Sequence, residues 1–328
     1  MNNEVVYLKD YKRKNYFSFS VSVVFAALIL IFSFMSENFF TFSNIYNVLL
    51  NGSPLIIITM GLTFALLTGT MDMSVAAVAY ISGCIFGILY RLFGFSMPLS
   101  IMIALMSSAL VGLINAILVI RLRLDALVVT LGMMMVIRSF GKIVTRDRLI
   151  LMGSDIAAIR QSRITGLGGF PAIIIVTIIV VVLCALILKY TKFGRNLIAV
   201  GCNEQSARNI GINVDLVKAG SLILSSSISG IAGIVWVITL GSVISRGLNS
   251  YEFLAVASAV LGGTSLFGGR GSFFPGSILG VLIYLFISNG LSIVGTSPFV
   301  IPLIRGAIIF IAMYADSLRT RAERNILA

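Results

Sequence analysis

The sequence predicts an all-α polytopic membrane protein of about ten transmembrane helices, with the N- and C-termini both cytoplasmic. Three observations predict it. Of 328 residues, 58% are hydrophobic and 11% charged, against roughly 25% charged in soluble domains. The apolar runs are about 20 residues long, the length of a helical span and about twice that of a barrel strand. Lys and Arg gather on alternate inter-span loops. The net charge of +12 is therefore assigned to the positive-inside bias and to anionic membrane lipid, with no nucleic acid implied.

In chain order, residues 1–16 form a cytoplasmic tail with Lys9, Lys12, Arg13 and Lys14. A transmembrane domain covers 17–316, and a second cytoplasmic tail covers 317–328. The apolar run from Phe17 to Met35 has full span length and no small-residue cleavage site after it, so it is a retained first helix rather than a signal peptide. The expected spans are 17–35, 45–67, 74–91, 97–120, 125–143, 171–188, 217–241, 253–267, 273–294 and 299–316. Phe39, Phe40, Phe42 and Tyr46 suit an interfacial aromatic belt. Pro171, Pro298 and Pro302 fall at or near segment starts, where a helix tolerates proline. The loop 142–170 breaks the charge rule with Lys142, Arg146, Arg148, Arg160 and Arg163, as longer loops do more often. Segment 253–267 is short and Gly-rich, which admits a re-entrant or strongly tilted path. In the seventh span, Ser226/Gly230 and Ser229/Gly233 form two small-xxx-small pairs that allow close helix approach, within the chain or between subunits.

One long polar stretch faces water between two spans, Thr191 to Lys218. Asn203 is a good N-cap, Glu204 lies in the first turn, and Glu204 and Arg208 have the i,i+4 spacing of a surface pair. Ala207 follows, and Gly211 supplies a C′ stop. The resulting two-turn helix is marginal alone in water. It is either a solvated connector or a docking site for a partner.

Two flexible joints remain. Around Thr68, Gly69, Asp72 and Ser74 the chain forms either a tight turn with a capped helix or a broken helix lining a cavity. Around Gly262, Gly263, Thr264, Gly268 and Gly269 it forms either an inter-helix turn or a mobile gate or partner contact. Arg138 is the clear intramembrane charge, with Arg305 near a span. Each either snorkels to an interface or belongs to a pathway. Asp72, Asp125, Glu252 and Asp316 are the acidic residues nearest lipid.

The absences are equally directive. There is no phosphate loop of the G-x-x-x-x-G-K-[ST] type, so ATP hydrolysis by that route is excluded for this chain. There is no histidine and no paired spacing of Cys84, Cys184 and Cys202, so no catalytic residue, metal site or cofactor is indicated. An ion-coupled secondary transporter would need ionisable groups deeper in the spans, although that class stays open beside an ATP-driven importer and a non-transporting scaffold.

Four blocks carry a family resemblance. LLTGTMDMSVAAVAYISG (66–83), LVVTLGMMMVIRS (127–139), residues 191–218, and YEFLAVASAVLGGTSLFGGRGSFFPGSILG (251–280) resemble, in order and spacing, the ribose-type (simple sugar) permease subunits of bacterial ABC importers. The resemblance spans roughly 45–316. It implies a multi-pass permease of the cell inner membrane, working by alternating access with ABC ATPase subunits, an extracytoplasmic solute-binding protein and a second permease copy or homologous permease. It places ATPase coupling at Gly201 to Asp215, hence on Asn203, Glu204, Ala207, Arg208 and Gly211. It also implies a path lined by small and apolar groups, with specificity carried by the delivered binding protein. The sequence departs from the family pattern at Thr70, Met71 and Met73, at Asp125-Ala126 and at Phe253-Leu254, which bears on the solute more than on the fold.

Overall fold

A computed structural model describes residues 21–164, 170–297, 299–304, 306, 307, 310 and 314. Six described helices are long and apolar enough to cross a membrane, and three apolar helices are shorter: α1 (Val21–Met35), α3 (Val75–Arg91) and α11 (Tyr251–Leu261). The long ones are α2 (Phe42–Leu67), α4 (Met97–Ala116, continued by a π-turn Ile117–Arg121), α5 (Ala126–Thr145), α7 (Ala172–Tyr190), α10 (Val214–Leu240) and α12 (Ile278–Ile293, led by a kinked turn Phe273–Ser277). The expected tails, Pro298, Arg305, Asp316 and part of the last expected span lie outside the described residues.

The bundle is built around α10. Its small residues let three helices approach its backbone. A Cβ on Gly61 of α2 would sit 2.7 Å from the Ser225 carbonyl, one on Gly83 of α3 2.8 Å from the Gly233 carbonyl, and one on Gly112 of α4 2.8 Å from Ser226 Cβ. Ser82 Oγ donates to the Gly230 carbonyl at 2.9 Å. The Ser226/Gly230 and Ser229/Gly233 pairs thus pack within this chain. In lipid such contacts rest on dispersion and hydrogen bonding, because burial from lipid gives no hydrophobic gain.

Two ends of the bundle can be distinguished. At one, β1 (Ile150–Leu151) pairs antiparallel with β4 (Ser242–Val243), Ile150 opposite Val243. The short helix α6 (Ser154–Gln161) and the pair β2 (Arg163–Ile164) and β3 (Phe170–Pro171) belong to the same 142–171 connection. At the other end lie α8 (Lys192–Cys202) and α9 (Glu204–Asn209). Three readings shift in detail. The water-facing stretch holds two helices rather than one, and its last residues, from Val214, open α10. Phe39 is buried against Phe32 and Phe286, leaving Phe40 and Phe42 exposed, so only part of the aromatic cluster can serve an interface. Asp125 caps α5, its Oδ1 accepting from the Val128 N–H at 3.1 Å.

The segment expected as 253–267 is helical only to Leu261. The chain leaves β4 and turns back inward, so that Gly247 lies against the Trp236 indole ring of α10. It then runs through α11 to a glycine loop at the far end of the bundle, so the segment reaches from one end to the other. The path combines a half-length helix, Tyr251–Leu261, with an inward-dipping loop before it.

Candidate coupling site

The site begins with capping. Thr191 Oγ1 accepts from the Gly194 N–H at 3.0 Å and starts α8. Asn203 Oδ1 accepts from the Ser206 N–H at 2.9 Å and starts α9. Gly211, at φ +84°, ends α9. The Ile212 N–H bonds to the Ala207 carbonyl and the Gly211 N–H to the Arg208 carbonyl, both at 3.0 Å, which is the Schellman closure. No atom crowds a Cβ at Gly211, so the positive φ alone calls for glycine. Asn213 then caps α10 through the Leu216 N–H at 3.1 Å. The result is a tight α8–α9–α10 elbow.

The expected Glu204–Arg208 pair does not form. Arg208 pairs with Asp215 at 2.6 Å, and Lys218 pairs with Glu204. The reason is length: α9 has six residues, and the first turn of α10 presents Asp215 and Lys218 within reach of both side chains. These partly exposed pairs contribute about 0.2–1 kcal/mol each. Ala207 is 2% exposed and packs inward, so it anchors the elbow and does not face outward; Gln205, Asn209 and Ile210 do.

Both flexible joints meet this elbow. Leu67 ends α2, Gly201 and Cys202 end α8, and Phe267–Gly269 form the tip of the glycine loop. The Gly269 N–H donates to the Leu67 carbonyl at 3.0 Å, and Cys202 Sγ lies 3.5 Å from the Gly269 carbonyl. A Cβ on Gly201 would overlap the Leu67 carbonyl and the Gly269 nitrogen, and one on Gly268 would lie 2.8 Å from the Gly69 nitrogen. Gly69, Gly268 and Gly269 have φ of +73°, +89° and +73°. Three backbones therefore interlock without side chains between them, and glycine is required by both space and torsion. Gly263 (φ +86°) turns the chain out of α11, and Gly262 packs directly on Gly276. Thr264 Oγ1 and Thr63 Oγ1 share Ser277 Oγ at 3.2 and 3.0 Å. The loop is thus pinned to α2 and to the start of α12.

Asp72 is fully buried, and neither it nor Ser74 makes a side-chain cap on α3. Its Oδ1 accepts from the Ser74 N–H at 3.0 Å and Ser74 Oγ at 2.6 Å, and its Oδ2 accepts from Ser225 Oγ at 2.9 Å. Asn115 Nδ2 donates to Ser74 Oγ at 3.0 Å. Thr68 Oγ1 bonds to the Ala65 carbonyl at 2.8 Å and to Thr70 Oγ1 at 3.0 Å. The α2–α3 break is a buried polar knot tying α2, α3, α4 and α10 together, with Asn115 Oδ1 left without a partner among the described residues.

Arg138 lies against the loop between β4 and α11. Its guanidinium donates to Glu252 Oε2 at 3.0 Å, Asn249 Oδ1 at 2.6 Å and the Leu248 carbonyl at 3.1 Å. The pair is largely buried, with side-chain exposures of 19% and 5%, so the charge is compensated on the spot. It clamps the inward-dipping loop to α5.

A family model described as "Branched-chain amino acid transport system / permease component" matches residues 44–313. The ribose import permease protein of Escherichia coli (strain K12) is 30% identical over 298 residues, covering 90% of this chain and 92% of that protein. The L-arabinose transport system permease of the same strain is 30% identical over 313 residues, covering 94% and 93%. The autoinducer 2 import system permease of Shigella flexneri is 30% identical over 304 residues, covering 92% and 88%. No solved structure matches the chain. The four sequence blocks, the helical membrane architecture and these full-length matches agree, and the chain belongs to this transport-system permease family, among the sugar-type permeases of ABC importers.

Proposed function

We propose that this chain is the pore-forming subunit of an ATP-driven importer for a sugar or sugar-like solute, and that α9 is the lever through which separate ATPase subunits move it. On this reading the α9 end of the bundle and both termini are cytoplasmic, the membrane is a bacterial inner membrane, and about ten spans are present. A binding protein delivers solute to the β1–β4 end, and a second copy or a homologous permease completes the pore. Ribose, L-arabinose and autoinducer 2 in the relatives' names support a small polyhydroxylated cargo.

The observation that carries this reading is the interlock of Gly201, Leu67 and Gly269. Shifting a two-state equilibrium from 1:99 to 99:1 takes about 5.5 kcal/mol of differential interaction. The exposed ion pairs of the elbow supply about 0.2–1 kcal/mol each and cannot transmit that load. A backbone-to-backbone junction can, because packed backbones move together or clash. Displacing α9 therefore displaces the ends of α2 and the loop joining α11 to α12.

The outward face of α9 offers Gln205, Asn209 and Ile210, the last 75% exposed, with Leu216 of α10 68% exposed beside it. In Ile210→Asp, binding-protein-stimulated ATP hydrolysis and uptake should both be lost in reconstituted importers, while the protein still reaches the membrane. Wild-type values for both would refute the lever.

A further inference from the structure

We infer that the cleft between α2, α11 and α12 is a contact site for the transported solute, and that this solute is a small, neutral, hydroxyl-rich molecule; the assignment rests on the importer reading. The cleft has a volume of about 270 Å³. It opens in the half of the bundle that holds the start of α2 and the end of α12, opposite the glycine junction.

Two helical ridges line it. Asn47 and Asn51 stand at i,i+4 on α2, and Tyr284, Ser288 and Ser292 at i,i+4,i+8 on α12, with Tyr251 of α11 beside them. Such spacing sets each group on one face of its helix. Asn47, Asn51 and Ser292 are exposed. Two amides on one exposed face of a spanning helix are costly against hydrocarbon, so that face meets a polar path rather than lipid.

The chemistry selects the solute. No Asp, Glu, Lys or Arg lines the cleft, so a charged cargo would find no counter-ion. An amide offers both donors and acceptors, as a sugar hydroxyl requires; Asn51 Nδ2 donates to the Asn47 carbonyl and Ser292 Oγ to the Ser288 carbonyl, both at 2.9 Å, so the Asn47 amide and the Asn51 carboxamide oxygen are the groups turned to a solute. The apolar side chains Leu55, Leu254 and Leu285 suit the C–H face of such a molecule. The volume lies just under the roughly 300–1,000 Å³ of drug-sized pockets, room for one small solute. At the mouth, Asn44 and Asn289 exchange amide hydrogen bonds of 2.9 and 3.0 Å, holding the two ridges in register.

The test uses the complete importer in proteoliposomes, with its ATPase and binding protein, and a labelled panel of pentoses, hexoses and short polyols. In Asn51→Leu and Asn47→Leu, uptake should fall about tenfold, the effect of one lost hydrogen bond, while binding-protein-stimulated ATP hydrolysis persists. Asn51→Gln and Asn47→Gln should restore uptake. Unchanged uptake in Asn51→Leu and Asn47→Leu, beside ATP-driven uptake by the wild type, overturns the cleft and leaves the importer reading standing. Loss of uptake, of ATPase stimulation and of permease pairing together shows this face packed on the second permease, and also overturns the cleft. A wild-type importer that moves no member of the panel on ATP overturns both readings.

Discussion

Replacing Glu252 with Gln removes the charge that compensates Arg138 without changing the shape of the site. Breaking a buried pair by removing one partner costs about 3–5 kcal/mol. Arg138 is 19% exposed and keeps Asn249 and the Leu248 carbonyl as acceptors, so the loss here is about 2–3 kcal/mol. The loop it holds is already strained: Leu248 and Ser250 have φ of +53° and +66°, costing roughly 1–2 kcal/mol each for non-glycine residues. Loosening the clamp should therefore raise the population of the released loop on the order of a hundredfold. The assay is built into the chain. Trp236 is its single tryptophan, and Gly247 of the same loop lies on its indole ring. Release of the loop uncovers the ring, so Glu252→Gln should show red-shifted emission and stronger acrylamide quenching, with reduced uptake. A double variant, Arg138→Met with Glu252→Leu, leaves no orphaned charge and should lose less stability than the two single variants added together. Unchanged Trp236 emission and quenching in Glu252→Gln, or strict additivity in the double variant, would refute the clamp.

Two further perturbations probe the elements the site depends on. Gly201→Val forces a side chain into the space held by the Leu67 carbonyl and the Gly269 nitrogen. Overpacking of this kind costs about 1–3 kcal/mol or more, and uptake should be lost while the ATPase subunits still bind; normal uptake would remove the junction from the coupling route. Asp72→Leu removes the acceptor of the hydroxyl protons of Ser74 and Ser225, about 1–3 kcal/mol for each buried donor left unpaired. Thermal unfolding in detergent should therefore show Asp72→Leu clearly destabilised and Asp72→Asn, which keeps an acceptor, affected less.

What the sequence disclosed followed from local rules. Asn203 and Gly211 announce α9 because capping chemistry is written within a few residues of the helix it bounds. The small-residue pairs of α10 announce close packing for the same reason. What it concealed is long-range. Asp72 finds Ser225 153 residues away, and Arg138 finds Glu252 114 residues away, and no spacing rule reaches that far. The Glu204–Arg208 pair was misjudged because helix spacing says which side chains are neighbours but not which better-placed ion competes; Asp215 and Lys218 come from the next helix. The glycine junction was visible as two separate Gly-rich joints and a coupling stretch. Only the fold shows that Gly69, Gly201 and Gly268 meet at one point. The amides of the α2–α12 cleft carry no local signal, because Asn47 and Asn51 lie inside the apolar run 45–67 and belong to no motif.

The central claim is that the α8–α9 elbow is worked by a partner on the cytoplasmic side, and the chain carries its own reporter for it. Cys202, at the hinge between α8 and α9, is exposed, whereas Cys84 and Cys184 are buried. With a membrane-impermeant thiol reagent, the account predicts no labelling of Cys202 in intact cells, ready labelling in inside-out vesicles, and protection when the ATPase subunits are bound. Labelling of Cys202 from outside intact cells would contradict it.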